Sequence, residues 1–240
     1  ISIRLVGSEM CIRDRHKALK SFDSNKLEGL NNIVVNNPRV SKSNYAYILD
    51  WDDYNTPAAL NHLHKNGLIS YSAYKPFSIK VNEDNNVKSF NRGTVMVPVS
   101  KQKVDSQKLF QIIQSTQEKF NIPVFSTETG YSSAGIDLGS NFFRINKKVK
   151  VAMLIGEGVS SYEAGEVWHL LDTRVNIPLT KIRLNQFNRT SLDKYTTLVM
   201  VSGIYSQISE KDIKKIKDWV SKGNTLVTIG SASSLSLIHI

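Results

Sequence analysis

The chain has 240 residues, of which 40% are hydrophobic and 9% aromatic, and a formal net charge of +10. That apolar content excludes a disordered polyelectrolyte. A single cysteine excludes a disulfide framework and a zinc ribbon, and no apolar run reaches the roughly 18 residues that cross a bilayer, so no membrane span is expected.

At the N-terminus, Glu9 to Arg15 can be written in codons containing a base string whose reverse complement translates as Leu-Ser-Leu-Ile-His-Ile. Those are the residues from 235 to 240. Both ends thus encode one DNA element in opposite orientations, and it resembles the transposon-end adapter of sequencing libraries. Residues 1–15 and 235–240 are therefore set aside as adapter-derived scars. Cys11 and His239 leave with them, and the loss of three Arg, Glu9 and Asp14 lowers the formal charge from +10 to +9. The remainder is expected to be a fragment of a longer protein, in two parts with boundaries at 16–145 and 146–234.

YAYILDW (45–51) reads as a strand. Thr56-Pro57 predicts an N-cap with a first-turn proline, opening a helix through AALNHLHKN to a terminating Gly67. ISYSAY (69–74), FSIKV (77–81), GTVMVPVS (93–100) and IPVFST (122–127) read as further strands, with a polar NEDNN turn after the second. SQKLFQIIQSTQEKFN (106–121) is an amphipathic helix with Leu109, Ile112, Ile113 and Phe120 on its core side. TGYSSAGIDLGSN (129–141) reads as a loop, followed by a basic hinge around residues 146–150.

Beyond the hinge the rhythm becomes regular. VKVAMLI (149–155), a Gly-Glu-Gly turn and the helical spacing of SSYEAGEVWHLLDTR open an α/β unit. Ser160 and Glu163 fit a capping box. IPLTKIRL (177–184), TTLVMVSG (196–203), a helix from about Ser209 to Lys222 closed by Gly223, and NTLVTIG (224–230) continue it. Continuous apolar strands alternating with helices predict a parallel sheet covered on both faces. The fold class is thus α/β: an α/β linking domain, then a flavodoxin-like sheet expected to be truncated after its fourth strand. Lys211, Lys214, Lys215 and Lys217 lie opposite the apolar stripe of Ile213, Ile216, Trp219 and Val220. No aromatic residues interleave with them as base-stacking platforms would, so a solvated face is expected and no nucleic-acid partner.

Candidate chemistry is sparse. His62 and His64 are two apart on a helix and point to different faces, which disfavours a shared metal. Glu163, Glu166 and His169 are spaced by three, and Glu-x-x-His occurs in carboxylate-bridged metal sites, but the required second copy is missing. G-Y-S-S-A-G (130–135) departs from a nucleophile elbow at Ala134, and GEGVSS departs from a dinucleotide fingerprint at Ser161. Asn188 heads a glycosylation sequon. Ligands of open α/β sheets bind beyond the carboxyl ends of the strands. A ligand site is therefore expected at Gly156, Glu157, Gly158, Ser160, Ser161, Glu163 and Gly203, with no catalytic residue and no metal assigned. The rival is a hydrolase or transferase using Glu157, Glu163 and His169 in that crevice; a small-molecule sensor module is a third reading.

GEGVSSYEAGEVWHLLD (156–172), IPLTKIRLNQFNRTSLDKYTTLVMVSGIYS (177–206) and IKDWVSKGNTLVTIGSA (216–232) resemble the C-terminal, non-peptidase region of bacterial zinc carboxypeptidase-like proteins, members of the carboxypeptidase A metallopeptidase family. YAYILDWDDYNTPAALNHLHKNGL (45–68) and FNRGTVMVPVSKQ (90–102) resemble the segment that joins the peptidase domain to it. The resemblance implies a secreted or periplasmic parent performing zinc-dependent proteolysis, with a missing N-terminal peptidase domain and a peptide substrate as partners. Zinc would belong to that domain, whose His-x-x-Glu motif is not found here, so no cofactor is expected in this fragment. The terminal domain is similar in fold to class I glutamine amidotransferases, without their cysteine. The implied role is a non-catalytic accessory one, in binding or positioning.

Overall fold

The computed structural model describes residues 37, 39–81 and 86–234. The two adapter-like ends and most of the NEDNN turn lie outside the described residues. The described residues from 39 onward belong to one compact unit. The boundary expected at 145 and 146 lies between two sheets of that unit.

The first part of that unit is built on a five-stranded antiparallel sheet. Its strands are β1 (Ala46–Leu49), β2 (Tyr71–Ala73), β5 (Val95–Pro98), β6 (Val124–Thr127) and β8 (Phe143–Ile145), in the order β6-β1-β5-β2-β8. Strand side chains alternate between faces, and β1 is apolar throughout because both of its faces are covered. Tyr47 and Leu49 meet helices α1 (Thr56–Lys65) and α2 (Ser106–Phe120) through Ala59, Leu63, Leu109 and Ile113. Ala46 and Ile48 meet the opposite layer, a three-stranded sheet of β3 (Phe77–Val81), β4 (Asn86–Phe90) and β7 (Ala134–Gly135) contributing Phe77, Ile79 and Phe90. Each fully buried Leu or Ile here contributes about 1.5–3 kcal/mol.

Three details depart from the sequence reading. Asn55, not Thr56, occupies the N-cap of α1, and the Thr56 hydroxyl instead donates to the Asp50 carbonyl at 2.7 Å. Strand β4 was hidden in polar sequence, since only Phe90 of its five residues is buried. Strand β8 follows a loop that itself contributes β7.

The second part is a four-stranded parallel sheet of β9 (Val151–Ile155), β10 (Leu179–Arg183), β11 (Thr197–Met200) and β12 (Thr225–Thr228), in the order β10-β9-β11-β12. This is the flavodoxin-like order, with the chain running outward in both directions from β9. The fold class is α/β, as the strand and helix alternation implied. Helix α3 (Ser161–His169), continued by a π-helical turn at Leu170–Arg174, covers Met153 and Val199 on one face. A 3₁₀ segment (Leu184–Arg189) and α4 (Glu210–Ser221) cover Ala152, Leu154 and Met200 on the other. Trp219 is buried there, with its indole N–H donating to the Leu192 carbonyl at 2.9 Å.

The lysines of α4 remain on its solvated side, except that Lys215 folds back. Its ammonium lies 3.9 Å from the Phe187 ring centroid and 3.3 Å from Asp212. The two parts are also joined by side-chain bonds beside the chain connection near Asn146. Asn176 adopts a left-handed φ of 58°, and its carbonyl accepts from Asn61 Nδ2 and from Lys65 Nζ, both at 2.8 Å. Among the described residues no helix is long and apolar enough to cross a membrane.

Candidate functional site

The carboxyl ends of β9 and β11 face each other where the strand order reverses, the place at which open parallel sheets usually hold a ligand. Here the gap between their loops is closed by main chain. Ser160 N donates to the Ser202 carbonyl and Ile204 N donates to the Gly158 carbonyl, each at 2.8 Å. Val159 and Gly203 form an antiparallel bridge between them.

Glycine makes this approach possible. A Cβ on Gly203 would lie 2.8 Å from the Gly158 carbonyl oxygen, and one on Gly158 would lie 2.9 Å from that of Ile204. Gly158 also needs its φ of 85°, a conformation that other residues adopt at a cost.

Glu163 sits within this closure. Its Oε2 accepts the Ser202 N–H at 2.8 Å, while the Ser160 hydroxyl accepts the Glu163 N–H at 3.4 Å. The expected capping box is therefore half formed. Ser160 caps the helix, but the Glu163 carboxylate reaches across to the loop after β11 instead of back to the Ser160 N–H, which already donates to Ser202. The reciprocal box occurs instead at Ser209 and Asp212, at the start of α4. Bonds from Ser209 and the Lys215 charge hold the Asp212 carboxyl below its ordinary range, against burial, which alone is the largest influence and acts upward.

A third loop completes the arrangement. Ser231, just beyond β12, accepts the Gly203 N–H at 3.0 Å through its hydroxyl and donates its own N–H to the Ser202 hydroxyl at 3.2 Å. Ser202 and Ser231 were not singled out from sequence. The signal available was a Ser-Gly or Gly-Ser pair directly after each of two parallel strands.

Of the seven expected ligand residues, Gly158, Glu163 and Gly203 are thus engaged in the loop closure, and Glu157 is exposed in its turn. Gly156, Ser160 and Ser161 line a recess of about 390 Å³ on the α3 face of the sheet. Its walls are largely apolar, including Met153, Ile155 and Ala164, and Trp168 stands at its side with the Lys181 ammonium 3.8 Å from the ring centroid. Trp168 and Lys181 are additions that only the fold could bring together.

The residues of the rival reading are spread out. His169 lies six positions beyond Glu163 on one helix, about 9 Å along its axis at 1.5 Å per residue.

Zinc, which the resemblance assigns to a peptidase domain, can be tested against the donors of this chain. His62 packs edge-on against Phe120, with ring centroids 5.6 Å apart. His64 Nε2 lies 2.9 Å from the Ser70 hydroxyl, which also accepts from Asn146 Nδ2 at 3.1 Å. Among the described residues no three His, Cys, Asp or Glu side chains gather to hold a metal ion. The described donors do not fit a zinc centre of three protein ligands. The loop of residues 130–135 lies between β6 and β8, not at a strand-to-helix turn, so its serines do not form a nucleophile elbow.

No protein-family model matches the chain, and comparison with curated proteins and with solved structures returns no match.

Proposed function

We propose that the chain is a non-catalytic binding or positioning module, an accessory part of a secreted or periplasmic zinc carboxypeptidase-like protein. It would serve by holding the peptidase domain or the substrate beyond the scissile bond. The observation that carries the non-catalytic part is the closed switch point: Glu163, the acid best placed for chemistry, is bonded to Ser202 N–H, and main chain fills the gap that a reacting group would enter. The parentage rests on the resemblance of the sequence blocks quoted above. Incubation of the 240-residue chain with zinc and C-terminally unblocked peptides is expected to release no C-terminal residue. Zinc-dependent turnover that survives repurification and is lost in Glu163→Gln would overturn the reading in favour of a hydrolase.

The recess beside Trp168 favours a second reading, a small-molecule sensor. A ligand that binds the folded form alone raises its apparent stability, so screening metabolite mixtures by thermal shift separates the two. A saturable rise in Tm that is absent in Gly165→Trp, where a side chain would enter open space lining the recess, would identify the sensor.

A further inference from the structure

On the first part of the unit, the loop of residues 129–141 is tied to itself and to the layer beneath. Leu138 N donates to the Gly130 carbonyl at 3.0 Å and Ser132 N to Asp137 Oδ1 at 2.8 Å, closing the loop on itself. Ser133 N donates to the Ser78 carbonyl at 2.7 Å and Leu138 is buried in the core. Gly135 holds a φ of 83° where a Cβ would collide with the Pro76 carbonyl oxygen. Compact loops closed in this way are frequently functional. This one carries Tyr131, 83% exposed, on a rigid base.

Two adjoining hollows of about 530 and 670 Å³ meet at Tyr45, Gly139 and Ser140, forming one cleft beside the loop. Three aromatic side chains line it and remain exposed: Tyr45 at 41%, Phe142 at 39%, and Tyr131. Asn44 and Asn141, both exposed, line the same cleft. Among the described lining residues, Lys101 and Asp137 are charged at neutral pH, one of each sign. A further cation stands at the cleft wall, since the Lys75 ammonium lies 3.7 Å from the Phe142 ring centroid, whereas Arg144 lies 4.4 Å from the centroid of Tyr74. On a chain of net charge +10, this cleft carries charges of both signs and no continuous run of cations.

We propose that the Tyr45–Tyr131–Phe142 cleft binds a neutral oligosaccharide. Sugar rings present apolar C–H faces that pack on aromatic rings, and hydroxyl edges that pair with side-chain amides offering both a donor and an acceptor. Aromatic walls with a few placed polar groups are what such recognition needs. A nucleic acid would require a positive groove following its phosphates, and two separated cations with the Asp137 carboxylate in the wall do not supply one. The assignment is independent of the reading of the parallel sheet.

Affinity electrophoresis of the full chain in native gels containing hydroxyethylcellulose, xylan or dextran sulfate, with calorimetric titration of chitohexaose, tests it. Expected is binding to at least one of the neutral glycans, insensitive to added salt, and about tenfold weaker in Tyr131→Ala, since one exposed anchor often dominates a small interface. Circular dichroism is expected to leave Tyr131→Ala unchanged because the ring is so exposed, and Asn141→Ala provides a second variant of the same cleft with the same expected direction. Binding to none of the neutral glycans, retention on dextran sulfate alone, or full affinity in both variants would overturn the proposal.

Discussion

The Glu163 carboxylate accepts the backbone N–H of Ser202 at 2.8 Å across the strand-order reversal, joining the first turn of α3 to the loop after β11. A charged acceptor gives such a bond more weight than a neutral one. Glu163→Ala is expected to lower stability by about 1–2 kcal/mol, and Glu163→Gln, which keeps an acceptor oxygen, by clearly less. Urea denaturation monitored by circular dichroism checks the order. Equal loss in both variants would remove the structural role argued for this side chain.

Gly203→Ala tests the main-chain closure directly. The added Cβ would meet the Gly158 carbonyl oxygen at 2.8 Å and Val159 Cα at 3.0 Å, neither of which can rotate away. A loss of about 1–3 kcal/mol is expected, as for other overpacked sites. Hydrogen exchange should show faster exchange at Ser160 and Ile204 amides, while those of β1 and β5 stay protected.

Tyr205 gives an alkaline signature. Burial, and then the nearby Glu163 charge, push its hydroxyl from 10 up to about 12, and it donates to the Val201 carbonyl at 2.6 Å. The folded state therefore holds this proton more tightly than the unfolded chain. Its contribution to stability is complete below pH 10 and is lost as pH rises toward 12. Tyr205→Phe is expected to be less stable than the parent at pH 8, with the gap narrowing above pH 10. Paired urea melts across that range provide the measurement.

His64 gives an acid signature of opposite sign. Burial, and then the Lys148 charge, hold its imidazole below 6.5, so the unfolded chain binds the proton more readily. Stability is expected to fall as pH drops below 6.5. His62, lowered by burial and by Lys119 and Lys65, acts in the same direction. His64→Asn should shrink the difference between melts at pH 7.5 and 5.5 without abolishing it.

The parallel sheet was legible in sequence because each of its inner strands is buried on both faces: Val151 and Met153 turn to α3, Ala152 and Leu154 to the 3₁₀ segment and α4. Strand β4 was not, since Asn86, Val87 and Ser89 are exposed and leave no apolar alternation to read. The position of the candidate site could be read from the turn glycines, but its closure could not. Ser160 and Glu163 satisfy a local capping pattern, and a competitor 39 residues away took the carboxylate. Likewise Tyr45 is far in sequence from Tyr131 and Phe142, and a loop with no regular periodicity brings them to one cleft.

The grip of Asn61 and Lys65 on the Asn176 carbonyl has a mechanical meaning. Together with the peptide connection near Asn146, which lines the same hollow as Asn61 and Val175, it joins the parallel sheet to the antiparallel one along a single seam. Any hinge opening along that seam must first exchange those amide and ammonium contacts for water.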